Sequence, residues 1–421
     1  MGALDTLGWF QFERLCELVL EAETGIEPTR WEGSADQRRW VMIEEPITLA
    51  GRTLSPPVLV RCVWRRGEEP ELDNDGAAST VTFTNRDGAD GDVVLGEAEL
   101  LDVIRSSPEL RLRMPSLLSL DATPLDPGGS TLDLDAARDL ARVFVPTPAW
   151  HRAVAILREH HFLVLTGPPE MGKTAIARML GLARLAEGWE VHECIRPEQV
   201  ADRFKRDRPQ LFIADDAFGS TEYRPDAADH WANHLDRIIR ATDAFHWLVW
   251  TSRPAPLRAG LRRLHRERGG ERFPEPASVQ VDAGSLGPEE KTLILFRHAR
   301  AADLPEEQRN LIRNYGSTIV AHPHFTPERI RRFVARGLPD GDIETAIEAQ
   351  LAEPTEAMSA SYRALEHEHR ELLLAMLDSP PGPVAERDLA EALRRHASSG
   401  LPKAPVDLVD RLADHFLKVL A

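Results

Sequence analysis

The chain has 421 residues, 42% apolar and 28% charged, with a formal net charge of −17, which fits a soluble protein of about two to four domains. No run approaches the ~18 apolar residues of a membrane span, the first residues lack a secretory signal pattern, and the net charge disfavours non-specific DNA binding by the whole surface. The three cysteines, Cys16, Cys62 and Cys194, lie far apart without metal-ligand spacing, as in a reducing cytoplasmic setting with no zinc site.

The acidity is concentrated at the front. Residues 1–130 hold 12 Arg, no Lys and 24 Asp plus Glu, a net charge of −12. Leu7, Phe10, Leu15, Leu18 and Val19 recur at helical spacing and predict an amphipathic helix over 4–24, ended by Gly25. Strands are predicted at 40–43, 57–64 and 80–84, where apolar and β-branched residues cluster, and a helix at 97–105. Residues 121–130 are a linker by composition, rich in Pro, Gly and Asp. A domain of residues 1–125 is therefore expected, with 126–143 linking it to the rest of the chain.

Over 131–285 short apolar runs alternate with helices of 10–20 residues. That alternation indicates a parallel sheet covered on both faces, hence an α/β core. Its core is placed at 144–285. Residues 286–352 read as entirely helical. Helices near 357–377, 386–396 and 406–420, joined by Pro/Gly turns, suggest a winged-helix or similar helical module over 353–421. No internal repeat is evident.

The sharpest signal is Gly167-Pro168-Pro169-Glu170-Met171-Gly172-Lys173-Thr174, which fits the G-x-x-x-x-G-K-[ST] pattern of a P-loop. Only five of the 51 basic residues are lysine: Lys173, Lys205, Lys291, Lys403 and Lys418. A chain that writes nearly every cation as Arg keeps Lys here. The position asks for a compact point charge on a slim stem, which a planar guanidinium does not provide. An apolar run at 161–166 precedes the loop, and a good helix starts at Ala175. Strand, glycine loop and helix is the geometry that cradles phosphates on backbone amides. Thr174 would place its hydroxyl on Mg²⁺.

A P-loop needs a second strand ending in an acid. Leu211-Phe212-Ile213-Ala214-Asp215-Asp216 supplies it. Asp215 would reach the metal, usually through water, and Asp216 would orient or deprotonate the attacking water. The next apolar strand ends in Trp250-Thr251-Ser252-Arg253. Arg253 is there either as a γ-phosphate sensor or as a solvated loop residue. Arg258, Arg262, Arg263, Arg266 and Arg268 form a basic stretch that reads as a solvated helix face or, alternatively, as a docking surface for an acidic neighbour.

These parts resemble the STAND class of AAA+-related signalling ATPases, in particular the novel STAND NTPase type 3 domain. The carrying segments are Phe144-Val145-Pro146-Thr147-Pro148 before a helix, the P-loop with its strand through Ala175, Asp215-Asp216-Ala217-Phe218-Gly219, Trp250-Thr251-Ser252-Arg253, and His322-Pro323-His324-Phe325-Thr326-Pro327-Glu328-Arg329-Ile330. The resemblance spans roughly 140–421. It implies a P-loop NTPase parallel sheet with a helical lid and a partial winged-helix module. It also implies an ATP/ADP switch that rests with ADP and opens to ATP and homo-oligomerisation on a signal, a protein or phage-derived trigger, in antiviral or conflict defence. Phe144 and Val145 would line the adenine site, and Pro323 or Pro327 would cover the base, although a Pro that starts a helix is an ordinary first-turn residue. The family's module continues into a strand and a His-Pro-Ser segment not found here, so the chain is expected to be a fragment.

Residues 8–66 resemble an Mrr-like restriction-endonuclease fold, with Trp9–Leu15 as its first helix, Gly33-Ser34-Ala35-Asp36 as the turn of the metal-binding acid, and 58–64 as the strand that normally carries Gln-x-Lys. Asp36 could hold a metal. Arg61 stands where Gln is expected and Val63 where Lys is expected, and no lysine precedes Lys173. Without that lysine the water is not positioned or activated. The expectation is a small α/β restriction-endonuclease-like domain without nuclease activity; an unrelated small α/β domain is the other reading. For the whole chain, the rivals to a switch are an AAA+-like motor or loader, an ATP-gated DNA endonuclease, and an ATP-dependent winged-helix regulator. The acidic helix at 406–416 counts against the last.

Overall fold

A computed structural model describes residues 2–27, 31–32, 38–64, 76–85, 89–120, 125, 128–219, 225–268, 276–338, 341–377, 384–396, 409 and 412. The chain divides into two compact units, Met1–Asp126 and Pro127–Ala421.

In the first unit the leading helix runs Trp9–Thr24. It starts later than the apolar spacing suggests because Gly8, at φ 78, separates it from a 3₁₀ turn at Ala3–Thr6. Gly25, at φ 75, closes it and donates its N–H to the Glu21 carbonyl at 2.8 Å. Six strands follow: β1 (Arg38–Ile43), β2 (Ile47–Leu49), β3 (Arg52–Leu54), β4 (Val58–Val63), β5 (Ser79–Thr84) and β6 (Val93–Leu95). β2 and β3 pair as a hairpin. The others form a sheet of order β1-β4-β5-β6, with β1 antiparallel to β4 and the rest parallel. Phe12, Leu15, Cys16 and Val19 of the helix share one core with Val58, Val60 and Cys62 of β4 and with Val81 and Phe83 of β5. Leu59, Arg61 and Val63 alternate onto the opposite face and are buried as well. Asp36 lies outside the described residues, so of the nuclease-like positions only Arg61 and Val63 are placed, two residues apart on one buried face.

The second unit is built on five parallel strands: β7 (Phe162–Thr166), β8 (Glu190–Cys194), β9 (Gln210–Ala214), β10 (His246–Ser252) and β11 (Gln280–Asp282), in the order β11-β7-β10-β9-β8. β10 is thus inserted between the strand that leads into the glycine loop and the strand that ends in Asp215. Trp250 anchors it. The ring is fully buried and meets Phe162, Phe218 and Trp231 edge-on, with centroids 5.0, 5.2 and 4.7 Å away. β8, at the sheet edge, is covered by the incoming chain: Thr131 N–H donates to the Val191 carbonyl at 2.8 Å, and Val191 N–H to Ser130 Oγ at 2.9 Å.

Residues 134–143, read as linker from their position, form a helix instead, Leu134–Val143. Asp133 caps it, accepting from Ala136 N–H at 3.0 Å, and it packs on helices Lys173–Leu185 and Pro288–Ala301. Between 288 and 352 the described elements are helices: Pro288–Ala301, Glu306–Asn314, Gly316–Ala321, Pro327–Arg336 and Ile343–Ala352. They enclose their own core of Ile294, Leu295, Ile319, Ile330, Phe333 and Leu351, which also takes in Val145. The helix expected near 357–377 is two, Glu356–Ala364 and His367–Leu377, because Leu365 leaves the helical region at ψ 143. Glu386–His396 completes a small cluster around Leu372, Leu389 and Leu393. The last expected helix, 406–420, falls outside the described residues except at 409 and 412. No helix among the described residues is long and apolar enough to cross a membrane.

Candidate nucleotide site

In a parallel sheet the strand C-termini share one edge, so the turns after β7, β9, β10 and β11 converge there. The loop after β7 is Gly167–Gly172. Gly167, at φ 142, has no room for a side chain: a Cβ would lie 2.9 Å from the Gly284 amide nitrogen and 3.1 Å from Asp282 Oδ1. Gly172, at φ 93, caps helix Lys173–Leu185, whose first amides and dipole point into the loop.

Lys173 is 7% exposed. Its ammonium donates to the carbonyls of Gly167 at 2.9 Å and Pro168 at 2.7 Å, so the side chain threads beneath the loop. Burial pulls its pKa down to about 8, while Asp216, Asp215 and Asp282 favour the charge and Arg253 opposes it.

Asp215 and Asp216 follow β9. Asp215 Oδ1 accepts from Thr174 Oγ1 at 2.9 Å and from Thr251 Oγ1 at 2.5 Å. Thr251 Oγ1 in turn accepts from the Asp216 N–H at 2.9 Å, and the Thr251 carbonyl accepts from Ala217 N–H at 3.0 Å. The acid turn is therefore fastened to the tip of β10, with Asp216 held at φ 47. Burial pushes the Asp216 carboxyl up to about 6, Asp215 adds to this, and Arg253 and Lys173 oppose it. Arg253 is half-buried, and its charge acts on Asp216 and Lys173.

Thr174 and Asp215 suit Mg²⁺. A hydroxyl and a carboxylate, brought together by a 2.9 Å hydrogen bond, are the hard oxygen donors that this ion takes. Among the described residues no cluster of three or more His, Cys, Asp or Glu could hold a metal alone, so phosphate and water oxygens would have to complete the shell.

The structure thus gathers Gly167–Ala175, Asp215, Asp216 and Arg253. Glu170 is in the loop, but its carboxylate is engaged by Thr326, Thr355 and Arg329. Phe144 and Val145 are buried. The Phe144 ring packs on Trp150 with centroids 5.2 Å apart, and its carbonyl accepts from Arg297. Pro327 is the first residue of its helix, capped by Thr326, and Pro323 is exposed in the turn before it. Three residues at or beside the site were given no role by the sequence: Thr251 and Arg329, which lie inside quoted segments, and Asp282. Only Thr251 had a local signal, as the first polar residue after the apolar run that ends at Trp250.

Residues 144–301 match the family model of novel STAND NTPase 3. Over this segment the chain is similar to STAND-type P-loop NTPase domains. Among solved structures, the chain is similar to the Walker-type ATPase PABY2304 of Pyrococcus abyssi, at 12% identity and a TM-score of 0.41, over 64% of this chain and 89% of that one. It is also similar to the FIGL-1 AAA domain in complex with ADP, at 15% identity and a TM-score of 0.27, over 66% and 88%. NtrX from Brucella abortus matches at 13% identity and a TM-score of 0.29, over 76% and 81%. A comparison with curated proteins gave no match.

Proposed function

We propose that the NTPase domain binds ATP and ADP with Mg²⁺ and hydrolyses ATP slowly, as a switch whose state the helical lid reads. The observation that carries this is Lys173, buried beneath a glycine loop and facing the Asp215–Asp216 turn. Its ammonium exchanges the Gly167 and Pro168 carbonyls for β- and γ-phosphate oxygens, while the loop amides and the helix N-terminus hold the remaining charge. Thr174 and Asp215 would hold the metal, Asp215 directly or through water. When bound, Mg²⁺ neutralises charge on the phosphate oxygens. Asp216 orients the attacking water and takes its proton, a role that suits a carboxyl raised toward neutrality. Arg253 adds positive charge where negative charge builds up.

On this reading Phe144 and Val145 line the adenine site, with Pro323 or Pro327 over the base, and the lid occupies 286–352 beside a winged-helix-like module over 353–421. The STAND resemblance supports a switch that oligomerises on a trigger, in a defence setting, with residues 1–125 as effector or adaptor. Arg61 and Val63, in place of a Gln-x-Lys pair, support an adaptor without nuclease chemistry. The nucleotide that copurifies tests the switch against a motor. Bound ADP in a slow enzyme supports the switch, whereas an empty site with fast turnover contradicts it.

A further inference from the structure

The ligand expected in this loop is polyanionic, yet the loop carries a carboxylate, Glu170. The residue sits at φ 67, in the left-handed region, which a non-glycine residue holds only where its surroundings enforce it. The contacts of its carboxylate come from outside the loop. Thr326 donates its hydroxyl to Glu170 Oε2 at 3.3 Å, Thr355 donates to Oε1, and Arg329 Nε lies 3.6 Å from Oε2. Both side chains of the Glu170–Arg329 pair are 6% exposed, so water does not screen it. Thr326 and Thr355 are also helix N-caps. They accept from the Arg329 and Met358 amides, each at 3.2 Å, at the starts of Pro327–Arg336 and Glu356–Ala364. One carboxylate thus closes on two helix N-termini, whose dipoles favour an anion. Arg329 ties the same segments together, donating to the Leu351 carbonyl and to Met358 Sδ.

We propose that Glu170 and Arg329 form a latch that makes phosphate binding depend on docking of these two helices, an inference that rests on the nucleotide site described under the proposed function. With Arg329 seated, the carboxylate is neutralised and the loop accepts a diphosphate. With the helices displaced, the bare carboxylate repels it. Linkage makes the effect reciprocal: nucleotide in the loop favours the docked helices by the same factor. Arg329 is here a positioning residue, acting through Glu170.

The test is a double-mutant cycle on the full chain, read by ADP titration calorimetry and by thermal melts without nucleotide. Glu170→Gln keeps the shape and leaves Arg329 as net positive charge, so ADP binding tightens severalfold. Arg329→Met bares the carboxylate and weakens ADP binding about tenfold. The double variant returns to within about twofold of wild type. A merely structural contact predicts that both single changes weaken binding and that the double variant binds no better than the weaker single; either result overturns the latch. If Arg329→Met does not fold, the sign of the Glu170→Gln effect decides. A coupling near zero in the melts also overturns it. A wild-type chain that shows the coupling but binds no ADP overturns the nucleotide site itself and, with it, the phosphate-dependent half of the proposal.

Discussion

The Thr251 hydroxyl, at the tip of β10, lies 2.5 Å from Asp215 Oδ1, at the tip of β9. One hydroxyl on the inserted strand therefore fixes the orientation of the acid assigned to the metal and, through the Asp216 amide, the backbone of the acid assigned to water. Thr251→Val keeps the shape and removes both bonds. Mg²⁺-dependent ATP binding should weaken roughly tenfold to a hundredfold, the usual effect of losing a group that orients a metal ligand. Thr251→Ser should retain most of it. Titrations with and without Mg²⁺ separate this from a general loss of fold.

Asp216→Asn removes the proton acceptor and keeps the size. ATP binding should persist while hydrolysis falls by about 10²–10⁴-fold. Single-turnover measurement with radiolabelled ATP checks it; unchanged turnover would move the water-activating role elsewhere.

Gly167→Ala should fail for two reasons. The backbone sits at φ 142, and the new methyl would lie 2.9 Å from the Gly284 amide nitrogen. A cost of about 1–3 kcal/mol is expected from the strain alone, read as a lower melting temperature. Nucleotide binding should weaken with it, because the shift needed to admit the methyl displaces the carbonyl that Lys173 holds.

His298, on the helix Pro288–Ala301, is held down at about 4 by burial, with Arg331 adding to the effect and Glu328 opposing it. The unfolded chain binds a proton here near pH 6.5 and the folded chain does not. This contribution to stability is present above pH 6.5 and is lost as pH falls toward 4, by roughly 3 kcal/mol at most. His298→Gln should flatten that part of the profile. Melts at pH 7 and 4.5 check it: an equal acid loss in wild type and variant would contradict the assignment.

Much of the site was legible because the chemistry constrains residue type and spacing together. The glycines, Lys173 and Thr174 are contiguous, and Asp215 and Asp216 end an apolar run, so the motif and its strand were visible at once. β7, β9 and β10 were legible as apolar runs, being buried on both faces. β8 was not. Its sequence includes Glu190 and His192, which are buried only because Lys205, Arg208 and Gln210, from later in the chain, surround Glu190. β11 is three residues long, too short for a pattern. Thr251 and Arg329 act through contacts across strands or far along the chain, which local spacing does not encode. The helix Leu134–Val143 was hidden behind the Pro/Gly-rich stretch that precedes it.

Calorimetric titration of the purified chain with ADP tests the central claim most directly. The account predicts saturable binding of one nucleotide per chain, lost in Lys173→Ala. A folded wild-type chain that binds no adenine nucleotide, or a Lys173→Ala variant that binds as well as wild type, would contradict it.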